Sequence, residues 1–187
     1  LPGEDCVVLV CSGRAAVDAG CWADLPGEDA LSDARVAGRA LREVFRQLAI
    51  TEGGEANIAW VVSGLGYAQQ SAAVSLQEAG FDHRRLAVEP ECRLNMRADS
   101  ENLAEQAYVA VMRHHRRARP QATDAGGTIR LLVAFGHQQV WKAVVSMTRA
   151  DMGSANLARS LGRGSVVVLR RPAGSRQFSA VLVSAPQ

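Results

Sequence analysis

Three short apolar runs constrain this chain more than any other feature. They are "CVVLVCSG" from Cys6, "IAWVVSG" from Ile58 and "TIRLLVAFG" from Thr128. Each is about the length of one strand, is apolar on consecutive residues rather than alternate ones, and ends in a small residue. Such runs suit strands that are covered on both faces. Amphipathic segments separate them. "LSDARVAGRALREVFRQLA" places Val36, Ala40, Leu41, Val44 and Leu48 on one helical face, with Ser32 or Asp33 as its expected cap. "YAQQSAAVSLQEAG" reads as a helix that stops at Gly80. "DSENLAEQAYVAVMRHHRRA" reads as another, with Ser100 as cap, and "HQQVWKAVVSMTRA" as a fourth.

The remaining elements complete an α/β pattern. "RLAVEPE" is a short third strand that Pro90 must end or leave at an edge. "RPQATDAGG" reads as a linker loop, and the segment from the first strand to about Leu31 as another. "GSVVVLRR" and "QFSAVLVSA" form a late hairpin through the turn "PAGS". The expected architecture is a three-layer α/β/α sandwich, with a mostly parallel central sheet and the hairpin at its edge. At 187 residues and 48% hydrophobic, the chain suits a single domain spanning residues 1–187.

Composition narrows the function classes. Net charge is +2, and Lys142 is the sole lysine. The dense basic run "RHHRRAR" reads as a solvated helix end rather than a nucleic-acid site, because no aromatic residue interleaves with it. His83, His114 and His115 are expected at the surface. No run of apolar residues is long enough to span a membrane. The acidic N-terminus lacks a signal-peptide pattern, so the cytoplasm is expected. Cys6, Cys11, Cys21 and Cys92 have no CxxC spacing, so no metal site is expected. No P-loop or GxGxxG is present, and no cofactor is expected.

In sheets of this kind ligands bind beyond the carboxyl ends of the strands. Ser12, Gly13, Ser63, Gly64, Gly136 and His137 lie just past strand ends and are expected to share one pocket. Their order carries a resemblance. "VVLV" followed by "CSG", the helix "LSDARVAGRAL", the element "VSGLGYAQQSAA" and the strand–helix junction "VAFGHQQVWKAVV" resemble the histidine phosphatase superfamily, the phosphoglycerate-mutase-like fold, in its small phosphohistidine-phosphatase-like branch. The resemblance covers nearly the whole chain.

It implies a site that has lost most of its chemistry. In the family, an Arg-His-Gly tripeptide follows the first strand, and its histidine attacks phosphorus. Here Cys11 stands at the arginine position, Ser12 at the histidine position, and Gly13 matches. In the second element Ser63, Leu65, Ala68, Gln70 and Ala72 match, but Gly64 replaces a proline and Tyr67 an arginine. In the last element His137 matches and Gly136 replaces a serine. The family's general acid follows the third strand, where Glu89, Glu91, Asp99 and Glu101 are the candidates and Glu91 is slightly favoured. A phosphoryl group brings close to two negative charges, and neither cysteine nor tyrosine supplies the guanidinium fork that meets them. Losing one preorganised donor from such a site costs about 3 kcal/mol.

Three readings follow. The first is a non-catalytic relative that binds a small molecule or protein partner in the former active-site pocket. The second is a repurposed enzyme, a hydrolase or other biosynthetic catalyst on a non-phosphorylated substrate. It would use His137 with Ser12 or Cys11, with Glu91 orienting the imidazole. The third is a residual phosphatase in which Arg14 or Arg93 substitutes for the lost arginines. Trp22, Tyr67, Gln138 and Trp141 complete the expected pocket, whose aromatic rim would favour an apolar ligand with few polar groups. The late hairpin also offers an edge strand for a homodimer.

Overall fold

The structure is a computed structural model and describes residues 3–12, 28–49, 57–82, 84, 86–89, 103–124, 126–148 and 152–183. In chain order its elements are β1 (Glu4–Ser12), α1 (Glu28–Leu48), β2 (Ala59–Ser63), α2 (Gly66–Ala79), β3 (Ala87–Glu89), α3 (Leu103–Arg117), β4 (Gln121–Ala122), β5 (Thr128–His137), α4 (Gln138–Met147), α5 (Met152–Ser160), β6 (Val166–Arg171) and β7 (Ser179–Val183). The strands form one mixed sheet in the order β3-β2-β5-β1-β6-β7, with β4 pairing β5 beside this path. Strands β3, β2, β5 and β1 run parallel, while β6 and β7 return antiparallel as the expected hairpin.

Alternation sorts the apolar runs onto two cores. From β1, Cys6, Val8 and Val10 face α1 and α2, joined there by Trp60, Leu131, Val133 and Phe135. Val7, Leu9 and Cys11 face the opposite way, toward α3, α4 and α5, with Leu132, Ala134 and Trp141. Burial on both faces is why β1 and β5 read as unbroken apolar runs. No helix among the described residues is long and apolar enough to cross a membrane.

Three expectations need correction. Helix α1 begins at Glu28, so Ser32 and Asp33 lie inside it and do not cap it. Its buried stripe extends back through Ala30 and Ala34, residues too small to stand out in a hydrophobic pattern. Strand β4 lies in the segment read as a linker, and α5 occupies a stretch left unassigned. The expected stop of α2 is present: Gly80 adopts a left-handed φ of 90° and its N–H bonds back to the last turn. The proposed Ser100 cap lies outside the described residues.

Helices α1 and α2 touch closely. A Cβ at Gly38 would fall 2.5 Å from Ser75 O and 2.6 Å from Glu78 Cβ. The Ser75 hydroxyl bridges the same seam, 2.8 Å from Ala34 O. A Gly-to-Ala change in a helix ordinarily gains about 1 kcal/mol. Here the added carbon meets backbone, and overpacking of that kind costs about 1–3 kcal/mol. Gly38→Ala is therefore expected to destabilise the chain by about 1–2 kcal/mol in urea denaturation.

His115 is not a surface residue: it is 3% exposed. It lies on the stripe that also buries Ala107, Val111 and Ala118. Its Nε2 is 3.1 Å from Arg130 O and 3.7 Å from Asp5 Oδ1, and Asp5 is itself paired with Arg171. Burial holds the imidazole below its ordinary value of 6.5, despite the pull of the Arg130 carbonyl and Asp5. The unfolded chain therefore takes up this proton first as pH falls. The stabilisation is complete above pH 6.5 and is lost as pH drops below it. Unfolding free energy measured between pH 8 and pH 5 should fall more steeply for the natural chain than for His115→Gln, which keeps a donor for Arg130 O but does not titrate.

Candidate functional site

The carboxyl ends of β1 and β5 stop together. Their parallel register runs from Glu4 opposite Ile129 to Ser12 opposite His137. Adjacent strands lie about 4.8 Å apart, so these two residues are immediate neighbours. Alternation also puts them on one face: Ser12 continues the series Cys6, Val8, Val10, and His137 the series Leu131, Val133, Phe135. The expected meeting of Ser12 with His137 is thus present in the fold. Ser12 is 4% exposed, and its buried Oγ has no hydrogen-bond partner among the described residues.

His137 does two jobs at once. It ends β5 and caps α4 with extended backbone, at φ −73° and ψ 140°. Its Nδ1 accepts the Gln139 backbone N–H at 3.2 Å. An accepting Nδ1 carries no proton, so the neutral ring bears its hydrogen on Nε2. In that tautomer the ring is a donor through Nε2, not a base.

The other predicted residues divide. Tyr67 opens α2 and packs into the core on the same sheet face as Ser12 and His137. Burial pushes its hydroxyl up to about 12, so the phenol is neutral. Ser63 is fully buried at the end of β2, opposite Glu89 of β3, and its Oγ lies 3.5 Å from Leu65 N. Gly13, Arg14, Trp22, Glu91 and Arg93 lie outside the described residues.

Cys11, Gln138 and Trp141 need correction. Cys11 points into the core shared with α4 and α5, and burial pushes its thiol up to about 12. A nucleophile must be a thiolate and must be reached, and Cys11 meets neither condition. Its backbone is fixed as well: its N–H donates to Ser165 O at 2.9 Å and its carbonyl accepts from Gly164 N at 3.2 Å. Gly164 has φ 68°, and a Cβ there would strike Asp33 O at 2.7 Å, so this turn wedges between β1 and α1. The Gln138 amide donates to Leu161 O, tying the first turn of α4 to the segment before β6. That donor is already engaged.

Trp141 is fully buried and lines no rim. Its indole N–H donates to Val10 O at 2.8 Å, two residues before Ser12. A Cβ at Gly136 would fall 2.6 Å from Trp141 Cζ2. The ring thus bears on β1 two residues before Ser12 and on β5 one residue before His137. It also explains Gly136, because a serine there would collide with the indole. Gly136→Ser should cost about 1–3 kcal/mol by overpacking. In a Trp141→Phe background the clash is removed, and the same change should cost at least about 0.5 kcal/mol less, as read from a double-mutant cycle by urea denaturation.

No protein-family model matches the sequence, and no curated protein does. Solved structures do match over nearly full length. The chain is similar to a mycobacterial glucosyl-3-phosphoglycerate phosphatase in its native structure, with a TM-score of 0.57 at 17% identity over 97% of this chain and 99% of the other. It is also similar to the product of the open reading frame Rv3214 of Mycobacterium tuberculosis, with a TM-score of 0.54 at 11% identity over 97% of this chain and 99% of the other. Strand order, the paired ends of β1 and β5, and these likenesses agree: the chain has the phosphoglycerate-mutase-like fold of the histidine phosphatases.

Proposed function

We propose that this chain does not carry out phosphohistidine chemistry and instead binds a small uncharged molecule at the ends of β1, β2 and β5. One observation carries the reading: Ser12, not a histidine, stands beside His137, with its hydroxyl buried and unpartnered. A buried hydroxyl without a partner is destabilising by about 1–3 kcal/mol, and a ligand atom that bonds it would remove that cost. Tyr67 adds a neutral ring on the same face. A carbonyl or hydroxyl group on an otherwise apolar ligand suits this set. A phosphoryl dianion does not, because the two arginine positions carry an inward-turned thiol and a neutral phenol.

The adjacency of Ser12 and His137 favours a second reading, a serine hydrolase on a non-phosphorylated substrate. It requires the imidazole to take the Ser12 proton. The Gln139 N–H opposes this by holding Nδ1 as the acceptor and leaving the hydrogen on Nε2.

Hydrolysis of an aryl phosphate and of phosphohistidine should run no faster with the natural chain than with His137→Ala. Turnover that disappears in His137→Ala would instead show a working phosphatase, with Arg14 or Arg93 as the first cations to remove. A fluorophosphonate probe should leave Ser12 unlabelled, whereas labelling that depends on His137 supports the hydrolase. Native mass spectrometry of the purified chain should show an added small molecule that Ser12→Phe excludes.

A further inference from the structure

The two ends of the sheet are protected to different degrees. Strand β3 closes one end with only three residues, finishes on Glu89, and is followed in sequence by Pro90. Short length, charge and proline all discourage a further strand. Among the described residues, strand β7 closes the other end and pairs only with β6. Its five residues, "SAVLV", contain no charge, proline or glycine. The absence of charge extends from Gln177 to Gln187.

Neither face of β7 is fully covered. Ala180 and Leu182 are half-buried against the core beside α5. On the other face Val181 is 53% exposed. It borders a shallow groove of about 80 Å³ with Val183, Val168, Val44 and Leu48, with Gln47 and Arg170 at its sides.

We propose that β7 pairs antiparallel with β7 of a second copy of this chain, on a two-fold axis through Val181. An isologous contact brings each residue against its mirror position, so it succeeds only if the strand complements its own reverse. About Val181 the reverse matches well: small Ala180 meets large Leu182 on one face, and Ser179 meets Val183 on the other. Each match occurs twice. Val181 meets Val181, a β-branched pair suited to a strand surface. No like charges are opposed, which a two-fold axis would otherwise force on any charged residue near it. The pairing satisfies the free backbone edge, extends the sheet through both copies, and covers the Val181 groove from the partner side. It lies at the opposite end of the strand order from β3 and does not involve the Ser12–His137 site.

Sedimentation equilibrium of the full chain should show a monomer–dimer equilibrium, and Val181→Lys should weaken it by about tenfold or more with an unchanged circular dichroism spectrum. Register is read separately by oxidative cross-linking, in a background with Cys21→Ser and Cys92→Ser. Val181→Cys should form a disulfide-linked dimer, because position 181 faces itself, whereas Ser179→Cys should not, because position 179 faces 183. A natural chain that stays monomeric at high micromolar concentration overturns the proposal. So does a dimer indifferent to Val181→Lys, or one in which Ser179→Cys cross-links as readily as Val181→Cys.

Discussion

The parallel pairing of β1 with β5 is the contact on which the rest of the molecule depends. It is continuous from Glu4–Ile129 to Ser12–His137, and both strands are buried on both faces. Shifting one strand by a single residue would turn every side chain to the wrong layer and exchange the two cores. The register is therefore held by the packing of the whole sandwich, not by the site. Ser12 and His137 are carried to adjacent positions by residues that never touch a ligand. A fold of this kind keeps its strand ends together whether or not the groups there still perform the original chemistry.

Trp141 shows how such a site is reinforced from behind. Its ring is on the α4 side of the sheet, while Ser12 and His137 face α1 and α2. The indole N–H reaches Val10 O, and the ring edge lies where a side chain at Gly136 would be. A bulky aromatic and a glycine thus fit together where β5 passes into α4. Similar fixing comes from the Gly164 turn, which bonds both backbone groups of Cys11.

The layer structure was legible in the sequence because consecutive apolar residues of strand length permit few other solutions. The meeting of Ser12 and His137 was legible for the same reason: both follow doubly buried strands in a parallel sheet. What escaped was side-chain direction and small-residue packing. Cys11 precedes Ser12 by one position, and that one step sends its thiol into the opposite core. Trp141, one helical turn beyond His137, reads equally well as rim or core until its N–H finds Val10 O. The start of α1 was hidden because alanines mark its stripe, and close approach at Gly38 requires just such small residues. His115 was taken for part of a charged helix end, yet its spacing of four from Val111 and three from Ala118 puts it on the buried stripe.

The difference between His115 and His137 illustrates what decides a histidine's role. At His115, Nε2 has a backbone carbonyl and a carboxylate within reach, and burial keeps the ring neutral at the far end of the sheet from the candidate site. The ring is satisfied by the protein itself. At His137 the Gln139 N–H engages Nδ1, at the end of β5 beside Ser12, whose buried hydroxyl has no partner among the described residues. The Cys11 thiol is turned into the opposite core and burial keeps the Tyr67 phenol neutral, so neither supplies charge beside Ser12 and His137. The proposed preference for an uncharged ligand rests on that difference, because a phosphoryl group needs charge compensation that these two side chains do not give.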